Sequence, residues 1–125
     1  MIEAAYTSRI ESYLAEKLKN VSDNIYPGTL PATLSGADTY VVIDVGSIYN
    51  DGGDFYGSVN IYMYAKKQAS GKKNVSALHK MEKAFAEFME DCDSDDYTFS
   101  EMYSDSGYDN TSGMHYSMIA LNIIC

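Results

Sequence analysis

Few side chains in this sequence are able to do chemistry, and their spacing limits what they can do. His79 and Glu82 stand three residues apart, which on a helix turns both toward one face and would offer two ligands to a metal. A zinc site takes three or four ligands in fixed geometry, so the pair reads as solvent-exposed. His115 opens a strand-like segment with no carboxylate or cysteine partner by spacing. Asp91, Asp93 and Asp95 repeat the opening of a calcium loop, where alternate carboxylates turn toward one cation. The match then breaks. Asp96 falls where the sharp turn needs glycine and Met102 where the closing glutamate belongs, with Glu101 one residue early, so a solvated helix exit is the better reading.

Cys92 lies between Asp91 and Asp93, whose negative field raises a thiol pKa and opposes a reactive thiolate. Gly52-Gly53 falls inside a hairpin pattern and not between a strand and a helix, so it is no phosphate-binding loop. There is no Gly-x-Ser-x-Gly elbow, and the many carboxylates sit in loops with no apolar wall to raise one of them. No catalytic, cofactor-binding or metal-ligating residue is therefore expected.

The elements that must position these residues follow from periodicity. Ile2, Tyr6, Ile10, Leu14, Leu18 and Val21 recur at spacings of four or three and predict a core-facing helix from about Ile2 to Lys19. Both prolines then fall within Ile25-Tyr26-Pro27-Gly28-Thr29-Leu30-Pro31 and predict an extended, stiffened connector. Thr39 to Ile48 and Phe55 to Ala65 read as an antiparallel hairpin around Asn50-Asp51-Gly52-Gly53-Asp54. In its second strand Val59, Ile61, Met63 and Ala65 alternate with Ser58, Asn60, Tyr62 and Tyr64, giving one aliphatic and one polar-aromatic face.

A basic loop from Lys66 to Lys73 precedes a second helix capped by Asn74 or Ser76 and ending near Asp91, with Leu78, Met81, Phe85, Phe88 and Met89 on its apolar face. Tyr97 to Tyr103 is a third strand, Asp105 to Gly113 a polar loop, and Met114 to Ile124 a last strand. The expected fold is a single α+β domain over residues 1–125. Its antiparallel sheet has about four strands, two helices pack on one face, and the order is α-β-β-α-β-β.

The 125 residues, 46% of them hydrophobic, suffice for one core. No run reaches the roughly 20 apolar residues of a membrane span, and the start lacks a basic, then apolar leader, so a soluble intracellular protein is expected. Two cysteines make no disulfide framework. Nine basic against eighteen acidic residues, a net charge of -9, oppose adhesion to nucleic acid or anionic membranes. Lys66, Lys67, Lys72 and Lys73 bracket one loop, while Asp91, Asp93, Asp95, Asp96, Glu101, Asp105 and Asp109 cluster later. Such blocks read first as solvated loops and alternatively as a charged interface. Tyr62, Tyr64 and Tyr116 can form an aromatic stripe on the sheet face opposite the helices; a subunit interface would cover it, though half-exposed tyrosine is also common.

The passage Ile2-Glu3-Ala4-Ala5-Tyr6, then Ile25-Tyr26-Pro27-Gly28 with Leu30-Pro31, then Tyr40-Val41-Val42-Ile43, resembles the small tail-terminator or tail-completion proteins of long-tailed bacteriophages and prophages. Val59-Asn60-Ile61-Tyr62-Met63-Tyr64-Ala65, the helix Ala77 to Glu90 and the closing strand Tyr116 to Ile124 are similar to segments of that family in position, so the likeness spans nearly the whole chain. The chain departs from the pattern at Ala37-Asp38-Thr39, where a proline would precede Tyr40, and in its acidic stretch after the second helix.

The resemblance implies a ring-forming virion protein, commonly a hexamer, assembled in the host bacterial cytoplasm. It would cap the head-proximal end of the tail tube, stop tube polymerisation and join tail to head. The implied partners are copies of itself, the tail tube protein and a neck or connector protein, with DNA passing through without specific binding, no membrane and no cofactor. On charge segregation, Asp51 and Asp54 at the hairpin tip, or Asp93, Asp95 and Asp96, would face the lumen, while Lys66, Lys67, Lys72 and Lys73 with the tyrosines would meet a neighbour or the tube. The alternatives are a neck or head-tail connector on the capsid side and a small-ligand-binding α+β domain.

Overall fold

The computed structural model describes residues 2–125, with side chains from Tyr6 onward, so the expected place of Ile2 on the helix face lies outside the described residues. Helix α1 spans Ile2–Lys17 and helix α2 Val75–Glu90. The strands are β1 (Ile25–Pro27), β2 (Thr39–Asp51), β3 (Asp54–Ala65), β4 (Thr98–Asp109) and β5 (Met114–Ile124). The α+β class holds, and the sheet is five-stranded and mixed, in the order β1-β2-β3-β5-β4.

The fifth strand corrects the expected four. Within the connector, Ile25–Pro27 pairs parallel with Val41, Val42 and Ile43. Pro27 has no N–H for a ladder, yet β1 is an edge strand and needs partners on one side only. Gly28 follows with φ of +81°, a conformation glycine adopts without strain, and its N–H donates to the Ile43 carbonyl at 2.8 Å. The element order is therefore α-β-β-β-α-β-β.

Two boundaries also move. α1 stops at Lys17, two residues short of the expected end, although Leu18 still donates to the Leu14 carbonyl at 2.8 Å. β4 continues through the polar segment expected as loop and reaches Asp109, because pairing with β5 runs unbroken from Tyr103 against Ala120 to Asp109 against Met114. Ladder hydrogen bonds there override the weak strand preference of Ser104, Asp105, Ser106 and Gly107.

Alternation sorts the side chains onto two faces. On one, Val41, Ile43, Val59, Ile61, Met63, Leu121 and Ile123 join Ile10, Leu14 and Leu18 of the first helical segment and Leu78, Met81 and Phe85 of α2 in a single core. Each such side chain contributes about 1.5–3 kcal/mol on full burial. Of the two possible caps, Asn74 starts α2, its side-chain oxygen accepting from the Ala77 N–H at 3.2 Å. The opposite face carries the tyrosines.

Candidate functional site

Register places Tyr64 beside both Tyr40 and Tyr116, and Tyr62 beside Val42 and Met118. These residues share the face away from the helices, as expected from the alternation. The Tyr62, Tyr64 and Tyr116 rings touch pairwise, with centroids 5.6 to 6.1 Å apart. Edge and offset contacts of this kind hold the rings as one patch, worth about 0.5–1.5 kcal/mol per pair beyond burial.

Three further residues complete the patch, and sequence reading missed them. Asp44 and Asp109 lie with Tyr62, Tyr64 and Tyr116 around a cleft of about 350 Å³. Gly107 pairs with Tyr116, and the Tyr116 ring lies across it, so that a Cβ there would meet the phenolic oxygen at 2.6 Å. The alternation that places Tyr40 and Val42 on this face also places Asp44, whereas Asp109 and Gly107 were hidden by the premature end assigned to the strand.

Electrostatics follow from this crowding. Burial pushes the Tyr64 phenol up to about 12, with the Asp109 carboxylate adding to it. The Tyr62 phenol is raised too, first by burial and then by Asp44, Tyr116 and Tyr103. Both remain neutral hydroxyls that can donate and accept hydrogen bonds, an arrangement suited to a wettable aromatic contact and not to nucleophilic attack.

The segment after β1 lies beside the patch. Tyr40 is buried at 1% exposure, and its hydroxyl oxygen accepts from the Ala37 N–H at 2.9 Å and lies 3.3 Å from Ser35 Oγ. Leu30, Pro31 and Leu34 lie close to Tyr64, Asp109 and Ser112. The proline connector is thus a strap along one margin of the tyrosine face as well as a route to the sheet.

The charged groups separate along the strands. The Asp51 and Asp54 hairpin tip lies at the end where Phe55 and Cys125 exchange backbone bonds of 3.0 and 2.9 Å. Asp93, Asp95 and Asp96 reach the same end, because β4 begins at Thr98 opposite Ile124. The two acidic groups named from sequence as alternatives therefore converge. Asp93, Asp95 and Asp96 are all exposed there, and Asp93 Oδ1 accepts from the Phe99 N–H at 3.2 Å. Lys66 to Lys73 occupies the other end, beside Asp38; Lys72 and Lys73 are exposed, and Lys67 Nζ sits 4.6 Å from the Tyr108 ring centroid.

The remaining chemical candidates take ordinary places. His79 is exposed, and Glu82 accepts a hydrogen bond from Ser117 Oγ at 2.9 Å. The His115 ring is tilted by 56° to that of Tyr108, with centroids 4.8 Å apart. The Cys92 thiol is pushed up, by burial first and Asp93 second. Among the described residues, no group of three or more His, Cys, Asp or Glu side chains is placed to hold a metal ion. No helix among them is long and apolar enough to cross a membrane. The chain matches no protein-family model. No curated protein is significantly similar to it in sequence.

Proposed function

We propose that this protein is a structural component of a long-tailed phage or prophage virion. In this reading it forms a ring, of hexameric order, at the head-proximal end of the tail tube, where it ends tube polymerisation and joins tail to head. The observation that carries the reading is the tyrosine face. Tyr62, Tyr64 and Tyr116 form one half-buried patch that no helix among the described residues covers, on a sheet with acidic groups at one end and a lysine loop at the other.

A subunit with unlike surfaces on its two sides makes heterologous contacts, which close into a ring when the rotation between neighbours allows. The tyrosine patch supplies the central contact, large and stiff, with hydroxyls that keep it soluble before assembly. Lys66, Lys67, Lys72 and Lys73 meet an acidic surface of the neighbour or the tube. Asp51, Asp54, Asp95 and Asp96 then face the lumen, where like charge keeps passing DNA from adhering.

The test is charge reversal at the exposed lysines. The Lys72→Glu, Lys73→Glu double variant keeps the fold, since both side chains are exposed, and weakens ring formation in light scattering and binding to purified tail tubes. Unchanged rings and unchanged tube binding in the variant would count against the reading.

A further inference from the structure

The two edges of the sheet differ sharply. β1 is three residues long and ends in a proline with no N–H to give a new strand. β4 runs for twelve residues, and every residue from Ser100 to Ser106 is exposed. β5 satisfies only one side of it, so alternate N–H and C=O groups point outward, with no strand beyond them among the described residues.

The side chains along this edge are chemically one-sided. Glu101, Asp105 and Asp109 are its charged residues, and no lysine or arginine stands between Thr98 and Asp109. Met102 and Tyr103, 44% and 56% exposed, sit at the register shift in mid-strand. A groove of about 460 Å³ runs beside the strand, lined by Glu82, Glu101, Ser104 and Asp105 among others. The Ser117 hydroxyl holds the Glu82 carboxylate in place there at 2.9 Å.

We infer that β4 is a docking edge for an extended, basic segment of a partner protein, which adds as a sixth strand. Its backbone takes the outward hydrogen bonds, and alternate lysine or arginine side chains enter the Glu82 and Glu101 groove. A second copy of this chain is a poor occupant. Two β4 strands side by side bring carboxylates together, and β1 is too short to be the complementary edge. The basic loop of another copy is folded on itself, with Gln68 donating to the Lys72 carbonyl at 2.9 Å and Gly71 to the Gln68 carbonyl at 2.8 Å, so it offers no extended strand. Edge carboxylates repel acidic strands, and the same charges admit a cationic one. The segment Ser100 to Ser106 adjoins the tyrosine patch, to which β4 gives Gly107 and Asp109 further along, and the inference does not depend on ring formation.

The probe is a short, acetylated and amidated peptide of alternating lysine and threonine, followed by amide hydrogen exchange in the full chain. Binding should slow exchange of outward-facing amides between Ser100 and Ser106 and weaken with added salt. Glu101→Lys with Asp105→Lys, both at exposed positions, should lower affinity by about ten-fold or more, and Glu82→Gln should lower it less. A peptide of the same charge with prolines in place of alternate threonines cannot pair and should not protect β4. Equal binding of the two peptides, protection away from β4, or no binding of the alternating peptide would each overturn the inference.

Discussion

Gly107 offers a way to disturb the proposed assembly surface without changing any tyrosine. Its backbone is not in the left-handed region, so alanine fits the strand itself. The new Cβ would stand 2.6 Å from the Tyr116 phenolic oxygen and 2.8 Å from Cζ, where ordinary contact begins at 3.4 Å. The outer end of the ring must therefore retreat by about 1 Å, and Tyr62 and Tyr64 already pack against it at centroid distances of 5.6 and 5.7 Å. Overpacking of this kind costs about 1–3 kcal/mol, at the lower end here because a ring tip gives way more easily than backbone. Replacing glycine within a strand returns roughly 0.5–1 kcal/mol by restricting the unfolded chain. The two effects nearly cancel in stability, and Gly107→Ala should melt within about 5 °C of the parent. They would not cancel in the proposed assembly, where every contact between neighbours would meet a misplaced Tyr116. Thermal denaturation and light scattering at matched concentration should show a near-native melt with the ring population shifted to protomer. A variant that forms rings as readily as the parent would show that Tyr116 lies outside the contact between neighbours.

Other expectations follow from single contacts. Tyr40→Phe removes the hydroxyl that accepts from the Ala37 N–H, should cost about 1 kcal/mol, and should speed limited proteolysis within residues 28–38 without unfolding the sheet. Asn74→Ala removes the α2 cap and should lower stability to urea by about 1 kcal/mol. Tyr64 titrates near 12 in the folded chain against 10.0 ordinarily, so the unfolded chain loses that proton first. The stability it contributes is complete below pH 10 and is lost as pH rises through 12; urea titrations should show this slope, and Tyr64→Phe should flatten it.

Much of the architecture was legible because its signals are periodic. Four-and-three spacing from Tyr6 to Val21 marked the face that buries Ile10, Leu14 and Leu18, and alternation from Ser58 to Ala65 separated Ile61 and Met63 from Tyr62 and Tyr64. β1 escaped because three residues carry no measurable period and proline argues against a strand in every setting except an edge. The second half of β4 escaped because Ser104 to Gly107 has the composition of a loop, and only its pairing with β5 makes it a strand. That one misplaced boundary concealed Gly107 and Asp109 at the tyrosine patch. The convergence of the hairpin tip with the Asp95 and Asp96 loop was equally beyond sequence, since strand order decides which loops share an end.

In the proposed assembly the chain closes into a ring on the end of a tail tube. Its most direct test is the mass of the assembled species, by light scattering with negative-stain imaging, for the protein alone at high concentration and mixed with purified tail tubes. The expected result is a closed ring of discrete mass, free or seated at one end of each tube. A strict monomer under both conditions, with tubes left uncapped, would rule out the proposed terminator ring.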